Sequence, residues 1–128
     1  MIGRQAHPET GEALLPHERL LRRGDFLQCY RRGRRRHGSL VTLYFLSAEP
    51  ERGYARFGIS VSRKVGGAVV RNRTKRRIRE CYRRWSERRR LPAVDLLIHV
   101  KPPAAEADFS TLRTEVLRLL GPLASQQD

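Results

Sequence analysis

Apolar residues recur along the chain in two patterns that are typical of β-strands. Residues 40–46 (LVTLYFL) and 94–100 (VDLLIHV) are short apolar runs next to glycine or proline, as expected for buried strands. Residues 54–62 alternate strictly, and every second residue from Ala55 to Val61 is apolar. A period of two indicates a strand with one buried face. The sequence therefore predicts three strands.

Three other segments have the composition and spacing of helices. The first covers residues 17–32 and ends before Gly33, with Asp25 as a candidate cap of its main part. The second covers residues 68–90, and the third covers residues 108–120, where a glycine–proline pair is expected to end it. The order helix, strands, helix, strand, helix predicts an α+β sandwich with helices packed on a small sheet.

The length of 128 residues fits one domain with one core. Residues 1–16 show no periodicity and are interpreted as a flexible N-terminal tail. We expect the domain to cover residues 17–121 and residues 122–128 to form a C-terminal tail.

The second helix separates apolar from basic residues. On a helical wheel its apolar stripe spans about 120°. The stripe consists of Val70, Thr74, Ile78, Cys81, Tyr82 and Trp85. Residues 71–90 contain eleven basic residues and two acidic ones. Solvated helix faces usually mix both signs of charge, so this face predicts contact with phosphates.

The whole chain carries a net charge of +14 and has a pI of about 11.3, which indicates a polyanionic partner. A second basic block follows the first helix and contains Arg34, Arg35 and Arg36. The two blocks form either separate RNA contacts or one patch. Phe26 and Tyr30 share a helical face beside this block, where they either pack in the core or stack on bases.

Nothing in the sequence indicates a self-sufficient catalyst. The two cysteines lie far apart, without the spacing of a zinc site, and four histidines lie in different segments. We find no paired carboxylates, glycine-rich nucleotide loop or nucleophile motif. No apolar run is long enough to span a membrane, and we expect a cytoplasmic protein.

Residues 57–80 read FGISVSRKVGGAVVRNRTKRRIRE, a strand end followed by an RNR motif and K-R-x-x-R-E. This contiguous run resembles the signature of the bacterial ribonuclease P protein family. Residues 21–30 (LRRGDFLQCY), followed by Gly33, resemble the first helix of that family. The similarity covers roughly residues 17–120.

The resemblance implies an α-β-β-β-α-β-α fold with a left-handed crossover through the RNR helix, and a short fourth strand. It also implies a protein that is monomeric within a ribonucleoprotein, where the RNA subunit is catalytic and holds most of the Mg²⁺. The partners would be this catalytic RNA and precursor tRNA, whose 5′ leader is removed by endonucleolytic cleavage. The protein would supply no catalytic residue and no metal ligand.

The resemblance also implies site residues. The residues expected to contact the catalytic RNA are Arg71, Asn72, Arg73, Lys75, Arg76 and Arg79, to which the charge pattern adds Arg83 and the block Arg34, Arg35 and Arg36. Some of the residues of the RNR helix would lie beside a metal-binding position. The residues expected to line the leader-binding cleft, between the first helix and the sheet, are Phe26, Tyr30, Tyr44 and Lys64.

Three other functions fit parts of the sequence. A structural RNA-binding protein, such as a ribosomal protein, would have similar size and charge. A protein-only nuclease would use His37, His99 and a lysine, and would cleave RNA without an RNA subunit. A DNA-compacting protein would bind duplex DNA equally well.

Overall fold

The computed structural model describes residues 14–125. Its helices and strands follow the predicted order α-β-β-β-α-β-α, which confirms the α+β fold class. In chain order they are α1 (Arg23–Arg32), β1 (Arg34–His37), β2 (Val41–Ser47), β3 (Arg56–Ser60), α2 (Ala68–Arg83), β4 (Val94–Val100) and α3 (Phe109–Ser125). The short fourth strand is β1, which contains the second basic block.

The four strands form one mixed sheet in the order β1-β2-β4-β3. Strands β1 and β2, and β2 and β4, are antiparallel, whereas β3 and β4 are parallel. A parallel pair needs a crossover connection, and α2 lies within the one between β3 and β4. The left-handed sense of this crossover stays a prediction.

The larger core lies between the sheet and the helices α2 and α3. Ile78 of α2 and Val116 of α3 are fully buried there, together with Leu96 and Ile98 of β4. The Phe57 ring stacks on the ring of Tyr82, with the ring centroids 3.9 Å apart. The apolar stripe predicted for α2 therefore faces this core.

A smaller core lies on the opposite face of the sheet, which α1 covers. Leu20, Cys29 and Leu97 are fully buried in it. Because side chains alternate along a strand, Leu97 and His99 of β4 point toward α1 while Leu96 and Ile98 point away. Part of the α1 face stays open, and the candidate site lies there.

The turn between β1 and β2 is held by a buried carboxylate of α3. The Glu115 oxygens accept hydrogen bonds from the backbone N–H groups of Ser39, Leu40 and Val41 at 3.1, 2.7 and 2.9 Å. The Ser39 hydroxyl donates a fourth bond at 2.9 Å. Glu115 thereby satisfies donors that the sheet leaves unpaired at this turn.

The first helix begins later than predicted. Pro16–Glu18 is a short 3-10 turn, and the Leu20 N–H then donates to the Phe57 carbonyl at 2.9 Å, so this segment pairs with the edge of β3. The N-cap residue of α1 is Arg22, so the predicted capping role of Asp25 is wrong. The Asp25 carboxylate instead lies 3.5 Å from the guanidinium of Arg56.

Two predicted helix ends are also wrong. Helix α2 stops at Arg83, and the Arg88 Nε donates to the Arg83 carbonyl at 3.0 Å, which satisfies one of the terminal acceptors. Helix α3 continues through its glycine–proline pair to Ser125, since burial of Leu123 and Ala124 offsets the hydrogen bond that proline removes. Residues 122–125 are thus part of α3, whereas residues 1–13 and 126–128 lie outside the described residues.

Candidate nucleic-acid interface

Helix α2 presents the predicted basic face on the side opposite its core stripe. The side chains of Asn72, Arg73, Arg76 and Arg79 are exposed, while Thr74 on the other side is buried. The helix places these side chains side by side along one face, so a bound strand can contact several of them at once. This array is suited to the phosphates of RNA.

Two of the three other predicted contacts of α2, Arg71 and Arg83, have partners within the chain. The Arg71 Nη1 donates to the Gly66 carbonyl at 2.8 Å and so fixes the turn that precedes the helix. The Arg83 guanidinium forms an ion pair with Glu80, which offsets part of its charge. Lys75 is half-buried on the flank of the helix that faces α1.

A cavity of about 270 Å³, the α1–α2 cavity, opens between α1, β3 and α2. Its lining includes Phe26 from α1, Lys75 and Arg79 from α2, and Arg19 from the segment before α1. Gly58 is part of the lining, and a Cβ atom there would lie 2.4 Å from the Leu20 carbonyl oxygen and 3.1 Å from the Phe26 ring. The structure therefore brings one predicted leader residue and two predicted RNA contacts to the same cavity.

The other two predicted leader aromatics lie together on the α1 face of the sheet. The Tyr30 and Tyr44 rings meet edge to face, with centroids 4.8 Å apart. The Tyr30 hydroxyl lies 2.8 Å from Nδ1 of His99. Burial, and to a lesser degree Lys101, lower the pKa of His99 and so favour its neutral ring. His99 thus fixes the orientation of Tyr30.

Lys64 lies in a short 3-10 turn, Arg63–Val65, that follows β3. The Ser62 hydroxyl accepts a hydrogen bond from the Lys64 backbone N–H at 3.3 Å, and the lysine side chain is exposed. Ser60 pairs with His99 in the sheet register, so Lys64 lies beyond the same end of the sheet as His99.

The block Arg34, Arg35 and Arg36 does not form one patch, because it lies in a strand. Arg35 pairs with Tyr44 and shares the α1 face of the sheet with it. Arg34 and Arg36 pair with Phe45 and Leu43 and face the other side. Only Arg35 is therefore placed beside the predicted leader residues.

Two residues of this region were not among the predicted site residues. Arg19 precedes α1, and it reaches the α1–α2 cavity because its segment pairs with the edge of β3. His99 was interpreted as structural, although its parity in β4 places it on the face that α1 covers. His37 pairs with Thr42 in the sheet, and Thr42 pairs with His99, so the backbones of the two histidines are about 10 Å apart. This distance does not favour paired acid–base catalysis.

Neither cysteine is suited to nucleophilic chemistry. Both are buried and free, and burial raises the pKa of each thiol to about 11. Over residues 14–125, no group of three or more His, Cys, Asp or Glu side chains could hold a metal ion. No helix in that range is long and apolar enough to cross a membrane.

Comparison with known proteins supplies the decisive observation. The model of the Ribonuclease P family matches residues 14–124. The chain belongs to the ribonuclease P protein family. The ribonuclease P protein component of Desulfovibrio desulfuricans is 44% identical over 115 residues, 87% of each chain. That of Thermus thermophilus is 40% identical over 135 residues, 92% of this chain and 77% of its relative.

Solved structures agree with this assignment. The ribonuclease P protein from Thermotoga maritima superposes with a TM-score of 0.69 at 33% identity, covering 80% of this chain and 94% of that one. The Staphylococcus aureus protein gives the same TM-score and coverage at 27% identity. Membership associates this chain with ribonuclease P RNA in a ribonucleoprotein that processes tRNA.

Proposed function

We propose that this chain is the ribonuclease P subunit that binds the catalytic RNA through α2 and the 5′ leader of precursor tRNA through the α1 face. In this role it assists endonucleolytic removal of the leader, which yields the mature 5′ end. The observation that carries the proposal is the α1–α2 cavity. There Phe26, suited to stacking on a base, lies with Lys75 and Arg79, suited to phosphates.

The proposed contribution of the protein is electrostatic and positional. The exposed side chains of Arg73, Arg76 and Arg79 neutralise phosphates where two RNA chains approach each other, which lowers their repulsion. Mg²⁺ is held mainly by the RNA subunit and supplies the activated water. The protein raises the fraction of precursor tRNA that is held in a reactive position.

The proposed leader contact combines stacking with hydrogen bonding. The edge-to-face pair of Tyr30 and Tyr44 is partly buried and belongs to the same apolar cluster as Phe26, and every base has a face that can stack on such rings. Arg35, on the same sheet face, would contact a leader phosphate. Such contacts tolerate many leader sequences, as a processing enzyme for many tRNAs requires.

Leader-dependent affinity tests this proposal. We would measure the affinity of ribonuclease P RNA for precursor tRNA and for mature tRNA, each with and without the chain. The proposal predicts that the chain tightens binding of precursor tRNA much more than binding of mature tRNA. Equal tightening would show that the chain does not contact the leader and would leave a general RNA-binding role.

A further inference from the structure

A second and larger cavity, of about 550 Å³, lies between the C-terminal part of α2 and the start of α3. We call it the α2–α3 cavity and define it by Trp85, Phe109, Arg84 and Arg113, which line it. Its volume is in the range of small-ligand sites. It lies on the flank of α2 that faces away from the α1–α2 cavity, and the proposed function uses none of its residues.

The α2–α3 cavity combines aromatic rings with guanidinium groups. Phe109 is 38% exposed, among the most exposed large apolar side chains of residues 14–125. Trp85 is partly buried, and its ring lies 6.3 Å from that of Tyr82. One part of the indole therefore packs on the core while another part borders the cavity. Aromatic faces beside guanidinium groups are the chemistry that binds unpaired bases and their phosphates.

The charge of the cavity favours an anion. Arg84 and Arg113 contribute two positive charges to the lining of the cavity, and Glu80 contributes one negative charge. The Glu80 carboxylate is already paired with Arg83, and it lies 3.6 Å from the Arg84 guanidinium. A phosphate entering beside Arg113 would therefore meet a net positive field.

The cavity is also continuous with the basic face of α2. Arg73, Arg77 and Arg84 follow one another at spacings of four and seven residues, which places them along one flank of the helix. The Arg77 Nη1 donates to the Ala107 carbonyl at 3.4 Å, so this flank faces the segment before α3. From Arg73 to Arg84 the distance along the helix is about 16 Å. An RNA strand bound on α2 needs to extend only this far to reach the cavity.

We propose that the α2–α3 cavity binds one unpaired nucleotide of single-stranded RNA. The base lies against Trp85 and Phe109, and its phosphate lies against Arg113. This is a second RNA site, separate from the leader contact. It would extend the strand-binding surface along α2 toward α3 and would prefer a flexible strand to a duplex.

Trp85 is the only tryptophan of the chain, so its fluorescence reports on this cavity directly. We would titrate the full chain with pentaadenylate and with an abasic pentamer that carries the same number of phosphates. The proposal predicts saturable quenching by pentaadenylate and much weaker quenching by the abasic pentamer. Equal quenching by the two probes would overturn it, as would absence of quenching when anisotropy of labelled pentaadenylate shows binding.

Two variants locate the effect. Phe109→Ala should weaken the affinity derived from quenching roughly 5- to 150-fold, the range for loss of one stacking contact. Arg113→Gln should also weaken it, whereas Arg118→Gln, which removes the same charge from the same helix outside the cavity, should not. Equal effects of Arg113→Gln and Arg118→Gln would reduce the site to general attraction and refute it.

Leader-dependent affinity, measured on the same preparations, separates this inference from the proposed function. If the chain tightens binding of precursor tRNA more than of mature tRNA, but its fluorescence is not quenched more by pentaadenylate than by the abasic pentamer, only the α2–α3 site is refuted. The reverse result would refute the leader contact and leave this site supported.

Discussion

Glu115 allows the stability of the fold to be tested at a single carboxylate. Its side chain accepts four hydrogen bonds from Ser39, Leu40 and Val41, and the residue is only 7% exposed. In Glu115→Ala, the N–H groups of Leu40 and Val41 lose their acceptor in a buried position. An unsatisfied buried donor costs about 1–3 kcal/mol, so the free energy of unfolding should fall by about 2–6 kcal/mol.

Glu115→Gln should have a smaller effect. The amide oxygen can still accept from Leu40 and Val41, and the amide NH₂ can donate to the Ser39 hydroxyl. The charge is lost, and the Ser39 N–H loses its acceptor at an exposed residue. We expect a loss of about 1–3 kcal/mol. Glu106→Ala, at an exposed acidic residue, is the control and should change stability by less than about 0.5 kcal/mol.

Urea unfolding followed by circular dichroism measures these differences. The midpoint should decrease in the order wild type, Glu115→Gln, Glu115→Ala, with little change in the slope. If Glu115→Ala matched Glu106→Ala, the hydrogen bonds of this carboxylate would not stabilise the fold, and the reasoning would be wrong.

The same carboxylate predicts a dependence on pH. Burial alone would raise the pKa of Glu115, but the N–H donors of Val41, Leu40 and Ser39 outweigh it and hold the pKa below its usual value. A lowered pKa stabilises the folded state above the unfolded value, near 4.3, and this contribution is lost as the pH falls through the folded value. Wild type should therefore lose stability in acid more steeply than Glu115→Ala.

Two further predictions concern RNA binding, and a third concerns stability. Arg73→Ala should lower the magnitude of the salt slope of RNA binding by about 0.7–0.9, because one phosphate contact is lost; an unchanged slope would show that Arg73 does not touch phosphate. Phe26→Ala should weaken binding of leader-bearing substrate by about 1–3 kcal/mol, with Leu27→Ala, on an exposed position of the same helix, as control. Equal weakening with and without a leader would contradict the cleft assignment. The lowered pKa of His99 predicts that stability falls as the pH drops below about 6.5, because burial and Lys101 disfavour the protonated ring in the folded state. His99→Gln should reduce this dependence, measured by thermal unfolding between pH 5 and 7.5.

The sequence predicted elements well where one strong periodic signal decides the structure. Strand β4 has the predicted bounds Val94–Val100 because an apolar run flanked by prolines leaves little choice. The basic face of α2 was also predictable, since its apolar stripe and its charges fall on opposite sides of one helix.

The errors occurred where tertiary contacts override local signals. Gly121 and Pro122 are usual stop signals, but the burial of Leu123 keeps α3 helical beyond them. The segment before α1 was predicted as helix, yet the edge of β3 offers the Leu20 N–H a partner there. Sequence alone does not show this partner, because it lies far along the chain.

The site was predictable only in part, because tertiary contacts bring its residues together. The resemblance indicated Phe26, Tyr30 and Tyr44, and the structure places Tyr30 and Tyr44 in contact. The contribution of His99 depends on its parity in β4 and on the way α1 crosses the sheet. Whether these residues bind the leader stays a prediction.

The central claim is tested most directly by cleavage of precursor tRNA at low Mg²⁺, using purified chain with and without a bacterial ribonuclease P RNA. The account predicts cleavage at the mature 5′ end only when the RNA is present, and faster with the chain than with RNA alone. Cleavage by the chain alone would contradict the account and support a protein nuclease. Tight RNA binding without any stimulation of cleavage would contradict it as well.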